Sequence, residues 1–154
     1  MLMVERDMIP WIPPILSRLI PTLLKRHNPS SLLENTAITI GRLSLISREH
    51  IAPHLSQFAE YWCETLSRVP DNLEKESAFH GFCALVRENP NGLANCFSAY
   101  CEAVVKWKTV PPELDESIRE IILMFQKAMG EQWTTTKATY PTFVQQRLME
   151  RYGV

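Results

Sequence analysis

Residues 28–45, NPSSLLENTAITIGRLSL, contain a proline break followed by an apolar stretch, and this arrangement decides the fold class. Ser31 precedes Glu34 by three residues, which is the pattern of a capping box at the start of a helix. From Leu32 to Leu45, apolar and small residues occupy most faces of the expected helix. A helix of this kind has neighbours on several sides. The stretch therefore predicts a buried helix that packs among other helices.

The same break recurs along the chain at a nearly constant interval. Pro29, Pro70 and Pro111 lie about 41 residues apart, and each interval carries helical periodicity with a weaker break near its middle. Such an interval is typical of helical hairpins of HEAT or armadillo length. The chain has only five glycines, which also favours helices. We predict an all-α fold, a HEAT-repeat α-α superhelix (solenoid) of about three to four helical hairpins.

The breaks divide residues 1–154 into approximate units. The units are an unpaired helix over 8–27, followed by helix pairs over 31–67, 71–108 and 112–152. The first unit carries an apolar stripe at helical spacing, formed by Ile12, Ile15, Leu19 and Leu23. Because no partner helix precedes this unit, we expect the stripe to be exposed and the isolated chain to self-associate.

Two later positions show the capping pattern of the first helix start. They are Asp71 with Glu74 and Thr142 with Gln145. We expect Asp71 and Thr142 to accept hydrogen bonds from the first turn of the helix that follows each of them.

Composition and charge exclude several classes of protein. The formal net charge is −1, so the chain lacks the basic footprint of direct nucleic-acid binding or of attraction to an anionic membrane. No apolar run reaches the roughly 18 residues of a transmembrane helix. Apolar residues 1–4 precede the charged residues 5–7, which is the reverse of a secretory signal, and we expect no such signal.

Cysteine and histidine are the residues that would carry chemistry, and their spacing predicts none. No two of the four cysteines have the C-x-x-C spacing of a zinc or redox site, so we expect reduced core thiols. His50 and His54 have the spacing of two metal ligands but lack the acidic residue of a zinc helix. The pairs with nucleophile and base character are Cys83 with His80 and Cys63 with His54. No oxyanion loop accompanies them, and we predict a protein that is not an enzyme and needs no metal or cofactor.

Aromatic and acidic residues are candidates for binding. Trp62 and Trp107 lie on apolar stripes and are expected in the core, whereas Trp11 and Trp133 lie at segment ends and remain candidates for surface anchors. The acidic start of the last unit comprises Glu113, Asp115, Glu116 and Glu120. It is suited either to a basic peptide or, more commonly, to compensation of the helix dipole.

Residues 32–43, LLENTAITIGRL, resemble a stretch of the transportins, which are nuclear import receptors of the karyopherin-beta (importin-beta) family. The resemblance continues through 71–79, DNLEKESAF, and 89–92, NPNG, and ends at 152–154, YGV. It covers nearly the whole chain. Ser44 and Leu45 depart from it, because the family has a glycine and an aromatic residue at these positions.

The resemblance implies the C-terminal HEAT repeats of such a receptor. In this family the N-terminal arch binds the GTPase Ran, the C-terminal arch binds cargo with a proline-tyrosine nuclear localisation signal, and phenylalanine-glycine nucleoporins contact the outer face. The isoleucine of the NTAI run belongs to an apolar patch that holds the upstream hydrophobic or basic epitope of the signal. Here this residue is Ile38, the one cargo contact that the motif carries over.

Several expectations follow from the missing Ran-binding arch. Ran and the nucleoporins would act through the full-length receptor, which shuttles between cytoplasm and nucleus through the nuclear pore. We expect the chain alone not to complete a transport cycle. The alternative is a HEAT-repeat scaffold or adaptor without transport activity.

Overall fold

The computed structural model describes the backbone of residues 3–154 and the side chains of residues 6–154. Met1 and Leu2, at the start of the apolar segment considered for a signal, lie outside the described residues. The α-helices are α1 (Met3–Met8), α2 (Ile12–Leu24), α3 (Ser30–Ile46), α4 (Arg48–Ile51), α5 (Leu55–Leu66), α6 (Leu73–Glu88), α7 (Asn91–Ala94), α8 (Phe97–Val105), α9 (Pro112–Met129), α10 (Gln132–Lys137) and α11 (Thr142–Tyr152). Short 3-10 helices cover Ile9–Trp11 and Ala52–His54. No strand occurs within residues 3–154, which confirms the all-α prediction.

The long helices form two stacked layers. Helices α2, α5, α8 and α11 pack side by side in the first layer, and α3, α6 and α9 do so in the second layer. The chain passes from the first layer to the second through proline-containing loops, and it returns through the short helices α4, α7 and α10. Because each hairpin contacts mainly its neighbours, the architecture is a HEAT-like solenoid, as predicted.

Helix α2 is packed, and the prediction of a fully exposed stripe is wrong. Ile12 and Leu23 are completely buried, and Ile15 and Leu19 are half-buried. Helix α3 folds back along α2, and α5 covers it from within the first layer. The stripe therefore faces the core, and the predicted self-association loses its premise.

Prolines occupy the N-cap position of three helices. Pro29, Pro111 and Pro141 precede α3, α9 and α11, with φ between −54° and −56° and ψ between 142° and 144°. The ring fixes φ and leaves the chain extended before the helix. Ser31 and Thr142 already lie inside their helices and do not cap them, so both predicted capping boxes are wrong.

Helix α6 has a side-chain cap, but from a different residue than predicted. The Oδ1 atom of Asn72 accepts a hydrogen bond of 2.9 Å from the backbone N–H of Lys75. Asp71, one position earlier, turns its carboxylate toward Lys75 Nζ at 2.9 Å and the N–H of Lys108 at 3.0 Å. Asp71 therefore links the start of α6 to the loop after α8.

Lys75 is a buried cation within this link. Its side chain is 1% exposed, and Nζ donates to the carbonyl of Val69 at 3.0 Å as well as to Asp71. The ammonium also lies 4.6 Å from the ring centre of Trp107, where the ring face attracts a cation. Partial burial raises the pKa of Asp71, but the hydrogen bonds from Lys108 and Lys75 outweigh it and hold that pKa below its usual value.

A continuous row of aromatic rings fills the space between the two layers. Trp62 of α5 stacks on Phe82 of α6 with ring centres 4.0 Å apart, and its Nε1 donates to the carbonyl of Ala37 at 2.8 Å. The other rings of the row are Phe79, Tyr100, Phe97, Phe125, Trp107, Trp133 and Tyr140. The stacked pairs Trp62–Phe82 and Phe97–Phe125 each join helices of different layers, so the row ties α5 to α6 and α8 to α9. The expected core positions of Trp62 and Trp107 are confirmed.

Helices α3 and α6 approach each other so closely that side chains are excluded at their crossing. A Cβ atom on Gly81 would lie 1.7 Å from the carbonyl oxygen of Gly41, and a Cβ on Gly41 would lie 2.6 Å from the carbonyl oxygen of Ala78. Neither position has room for a larger residue. The crossing therefore fixes how far apart the exposed faces of α3 and α6 stand.

Among the helices described, none is both long enough and apolar enough to cross a membrane.

Candidate protein-interaction site

Ile38 lies on α3 at the border between the core and the surface. Its side chain is 8% exposed, whereas Asn35, Thr39 and Arg42 on the same side of the helix are exposed. Spacings of three and four residues place these positions on one helical face. Ile38 therefore presents only an edge to a partner and contributes mainly to packing.

The exposed face of α3 continues into a shallow groove of about 390 Å³ against α6. The groove is lined by Thr39, Arg42, Leu43, Leu45, Ile46 and Ser77. We name it the α3–α6 groove. Leu45 is 55% exposed, so it offers a partner an aliphatic surface that the core does not use. The groove begins at Thr39, directly after Ile38, which is not among its lining residues.

Arg42 supplies the charge of the α3–α6 groove. No carboxylate of the described side chains lies within ion-pair distance of it. Glu76 lies 3.9 Å from His80, and Arg48 lies 3.6 Å from Glu88. The groove therefore combines an apolar wall with one cation that has no counter-charge in the described part of the chain.

Sequence reasoning missed this groove, although part of its signal was present. Arg42 and Leu45 follow Ile38 by four and seven residues, which predicts one face of a helix. Ser77, on the opposite wall, lies on α6 and comes into view only when the two helices are placed together. The spacing pointed to the face, but not to the groove.

Trp11 and Trp133, the two tryptophans considered as surface anchors, differ in burial. Trp133 is 6% exposed and contacts Phe97 and Tyr140, so it belongs to the core. Trp11 is 63% exposed. Trp11 therefore remains a surface residue, at the end of the molecule where the first layer begins.

Two of the four acidic residues at the start of α9 are paired with other residues of the chain. Asp115 accepts a hydrogen bond of 2.8 Å from the hydroxyl of Tyr152, and Glu120 pairs with Arg87 at 3.0 Å. Glu113 and Glu116 remain exposed in the first turns. This arrangement fits dipole compensation and packing of the last hairpin.

Three of the four cysteines, Cys63, Cys83 and Cys101, are buried, and Cys96 is partly exposed. Burial raises the pKa of Cys83 to about 11, and Cys83 Sγ lies 3.8 Å from the hydroxyl of Tyr100. Burial likewise raises the pKa of Cys63 well above its usual value. His54 is near Gln57, with 3.4 Å between Nδ1 and Nε2. Neutral thiols in such surroundings are poor nucleophiles.

The histidine pair considered for a metal is engaged in local contacts. His50 Nδ1 contacts the hydroxyl of Ser47. In the described chain, no group of three or more histidine, cysteine, aspartate or glutamate residues is arranged to hold a metal ion.

Comparison with known proteins shows how much of the chain is similar to transportins. The chain is 38% identical over 149 residues to Transportin-1 of Homo sapiens and of Mus musculus, which covers 96% of this chain and 17% of each relative. It is 34% identical over 143 residues to Transportin of Dictyostelium discoideum, and 37% identical over 121 residues to Importin subunit beta-2 of Schizosaccharomyces pombe. No family model matches the sequence.

These matches confirm the family resemblance of the LLENTAITIGRL stretch and its neighbours. The chain is a relative of the transportins, and its sequence corresponds to a segment that makes up 13% to 17% of the length of these proteins.

Proposed function

We propose that the chain is the protein-binding C-terminal part of a transportin-like nuclear import receptor, and that it recognises cargo with a proline-tyrosine nuclear localisation signal. The observation that carries the proposal is the similarity to Transportin-1 over 96% of the chain. The exposed face of α3 beside Ile38 supports it, because this face offers apolar surface that is free for a partner.

The proposal assigns the remaining steps of transport to a longer protein. The chain spans 17% of the length of Transportin-1, and we propose that Ran GTPase and phenylalanine-glycine nucleoporins bind other parts of a full-length receptor. Such a receptor would shuttle between the cytoplasm and the nucleus through the nuclear pore. The units 31–67, 71–108 and 112–152 are the proposed HEAT repeats, with 8–27 preceding them. No catalytic role is proposed.

A titration of the 154-residue chain with a labelled proline-tyrosine signal peptide tests the proposal. We expect weak, saturable binding, because one patch supplies only part of the contacts of a full receptor. A scrambled peptide of the same composition should not bind. Equal binding of both peptides would reject the proposed cargo class.

The role of Ile38 needs a control for stability, because its side chain is almost buried. We expect Ile38→Ala to weaken binding of the signal peptide. Ile40→Ala removes the same atoms from a completely buried position of the same helix and should leave binding unchanged at temperatures where both variants are folded. Equal binding by both variants would remove Ile38 from the site.

A further inference from the structure

We propose that Lys75 is a positioning residue of the solenoid. Its buried ammonium holds the loop after α8 against the start of α6, and it thereby fixes the angle at which α9 lies beside α6. The rotation from one repeat to the next sets the curvature of a solenoid, and with it the shape of the binding surface. The proposal goes beyond the proposed function, because it applies whatever partner that surface binds.

Two loops enclose the ammonium of Lys75. Its Nζ atom donates to the carbonyl of Val69 at 3.0 Å and to Oδ1 of Asp71 at 2.9 Å, and it lies 4.6 Å from the ring centre of Trp107. Val69 and Asp71 belong to the loop before α6, whereas Trp107 belongs to the loop after α8. Among the described residues, Lys75 is the only charged side chain that is buried. One buried cation therefore lies where two successive loops meet.

Asp71 uses both of its carboxylate oxygens at this meeting point. Oδ1 accepts from Lys75, and Oδ2 accepts from the backbone N–H of Lys108 at 3.0 Å. The side chain of Asp71 is 29% exposed. Without the ammonium, the carboxylate would be free to turn toward water, and the hydrogen bond from Lys108 would weaken. Lys75 thus orients the carboxylate that ties the loop after α8 to α6.

Trp107 is held by contacts of its ring and not by its N–H group. Its Nε1 atom is buried without a hydrogen-bond partner, the one such side-chain atom among the described residues. The ring contacts the ammonium of Lys75 and meets the ring of Phe79 with centres 5.7 Å apart. The carbonyl of Trp107 accepts from Arg151 of α11 at 2.6 Å. Loss of the cation would therefore loosen the ring and its link to the last helix.

The charge of Lys75 is a poor source of net stability. Burial of an ammonium has a desolvation cost that its contacts offset only in part. Apolar side chains of similar volume that replace a buried charge are often neutral or stabilising. Lys75→Met leaves no buried charge behind, because Asp71 is partly exposed. Asp71→Ala, by contrast, leaves the ammonium buried without its counter-charge.

Spin-label distance measurements on the 154-residue chain test the proposal. The labels are attached through Arg42→Cys on α3 and Lys127→Cys on α9, both at exposed positions, together with Cys96→Ser at the one partly exposed cysteine. The label on α3 reports the position of α6, because the close crossing holds these two helices in contact. We expect one narrow distance distribution in the labelled parent and a broader one in Lys75→Met.

Two further variants separate orientation from stability. Leu23→Ala removes a completely buried side chain from α2, which packs on α3 and α5. It should lower the midpoint of urea denaturation more than Lys75→Met does, because it leaves a cavity, but it should keep the distance distribution narrow. Asp71→Ala should broaden the distribution and should also lower the midpoint more than Lys75→Met does.

Several results would overturn the proposal. One is a distance distribution of parental width in Lys75→Met. Another is a Lys75→Met protein that does not fold, or whose urea midpoint falls as far as that of Leu23→Ala, because Lys75 would then act through stability. Equal broadening in Leu23→Ala would show that the width follows stability alone. None of these outcomes bears on the titration with the signal peptide, so the proposed function is judged separately.

Discussion

Two contacts between helices are packed in opposite ways. One is the crossing of α3 and α6, and the other is the aromatic row between the layers. At the crossing, Gly41 and Gly81 have no side chains and the two backbones touch. In the row, Trp62 and Phe82 stack with ring centres 4.0 Å apart and both are completely buried. The spacing of α3 and α6 is thus set by the smallest residues, and the contact of α5 with α6 across the layers by the largest.

The difference has a consequence for the candidate site. Because interiors are close-packed, a layer cannot change its spacing without a change in the side chains that set it. The crossing holds α3 and α6 at one distance, and the α3–α6 groove lies along this same pair of helices. The row, which lies between the layers, stabilises the molecule without forming that surface.

Trp62→Ala should have the largest effect on stability, because it removes a central ring of the aromatic row. It removes a completely buried ring and its hydrogen bond of 2.8 Å to the carbonyl of Ala37. We expect the free energy of unfolding to fall by about 3 to 5 kcal/mol, as measured by urea denaturation. Trp11→Ala, at a 63% exposed position, should change it by less than about 1 kcal/mol. Similar losses in both variants would contradict the assignment of Trp62 to the row.

Gly81→Ala tests the crossing of α3 and α6, and the sign of the change in the free energy of unfolding decides the outcome. Helix propensity alone predicts a gain of about 1 kcal/mol for this change. The new methyl group would instead lie 1.7 Å from the carbonyl oxygen of Gly41, so we expect a loss of about 2 to 3 kcal/mol from overpacking. Gly92→Ala meets the side chain of Leu55 at 2.7 Å, and its loss should be smaller because a side chain moves more easily than a backbone. A stabilised Gly81→Ala variant would exclude the close crossing.

Asp71→Asn tests a polar contact beside the aromatic row, because Asp71 links the start of α6 to the loop after α8. The change weakens the hydrogen bond to the buried ammonium of Lys75, and we expect a loss of about 1 to 2 kcal/mol at pH 7. Denaturation of both proteins across a pH series measures this difference.

The pH dependence of the Asp71→Asn effect has a definite sign. The pKa of Asp71 is lower in the folded chain than in the unfolded chain, so the carboxylate contributes stability above the unfolded value of about 3.9. That contribution is lost as the pH falls through the folded pKa, and the two proteins should then converge. Asp7→Asn, at an exposed position, should show no such difference. A gap that stays constant down to about pH 2 would contradict the link.

Arg151→Ala should have the smallest effect of the four. Arg151 donates to the carbonyl of Trp107 at 2.6 Å and to that of Val104 at 3.4 Å, so it attaches α11 to the end of α8. We expect a loss of about 1 kcal/mol and faster amide exchange in α11 than in α5. Lys127→Ala, at an exposed position of α9, provides the control. Uniform exchange across the chain would show that α11 does not depend on this contact.

Local patterns predicted the helices better than they predicted the helix ends. The proline interval indicated an all-α solenoid, and the structure confirms it. The capping patterns at Ser31 and Asp71 were misleading, because Pro29 already sets the entry into α3 and Asn72 takes the cap of α6. A sequence pattern shows which side chains are able to cap, whereas the geometry of the loop decides which one does.

At the candidate site, too, the sequence identified the helix but not the exposure of its residues. The motif around Ile38 identified α3, but it could not show that Ile38 is 8% exposed or that Arg42 and Ser77 face one groove. The exposure expected for the stripe of α2 is wrong for a related reason, because the residues that cover Ile12 come from helices later in the chain.

The sequence by itself determined that this protein is helical, repeats about every 41 residues, and resembles the transportins, because periodicity and motif are local properties. Only the tertiary structure decided which apolar residues are buried and which remain available to a partner. Burial depends on residues that are distant in the chain, and Gly41 and Gly81 bring α3 and α6 together in a way that neither helix specifies alone. The α3–α6 groove is a product of that contact.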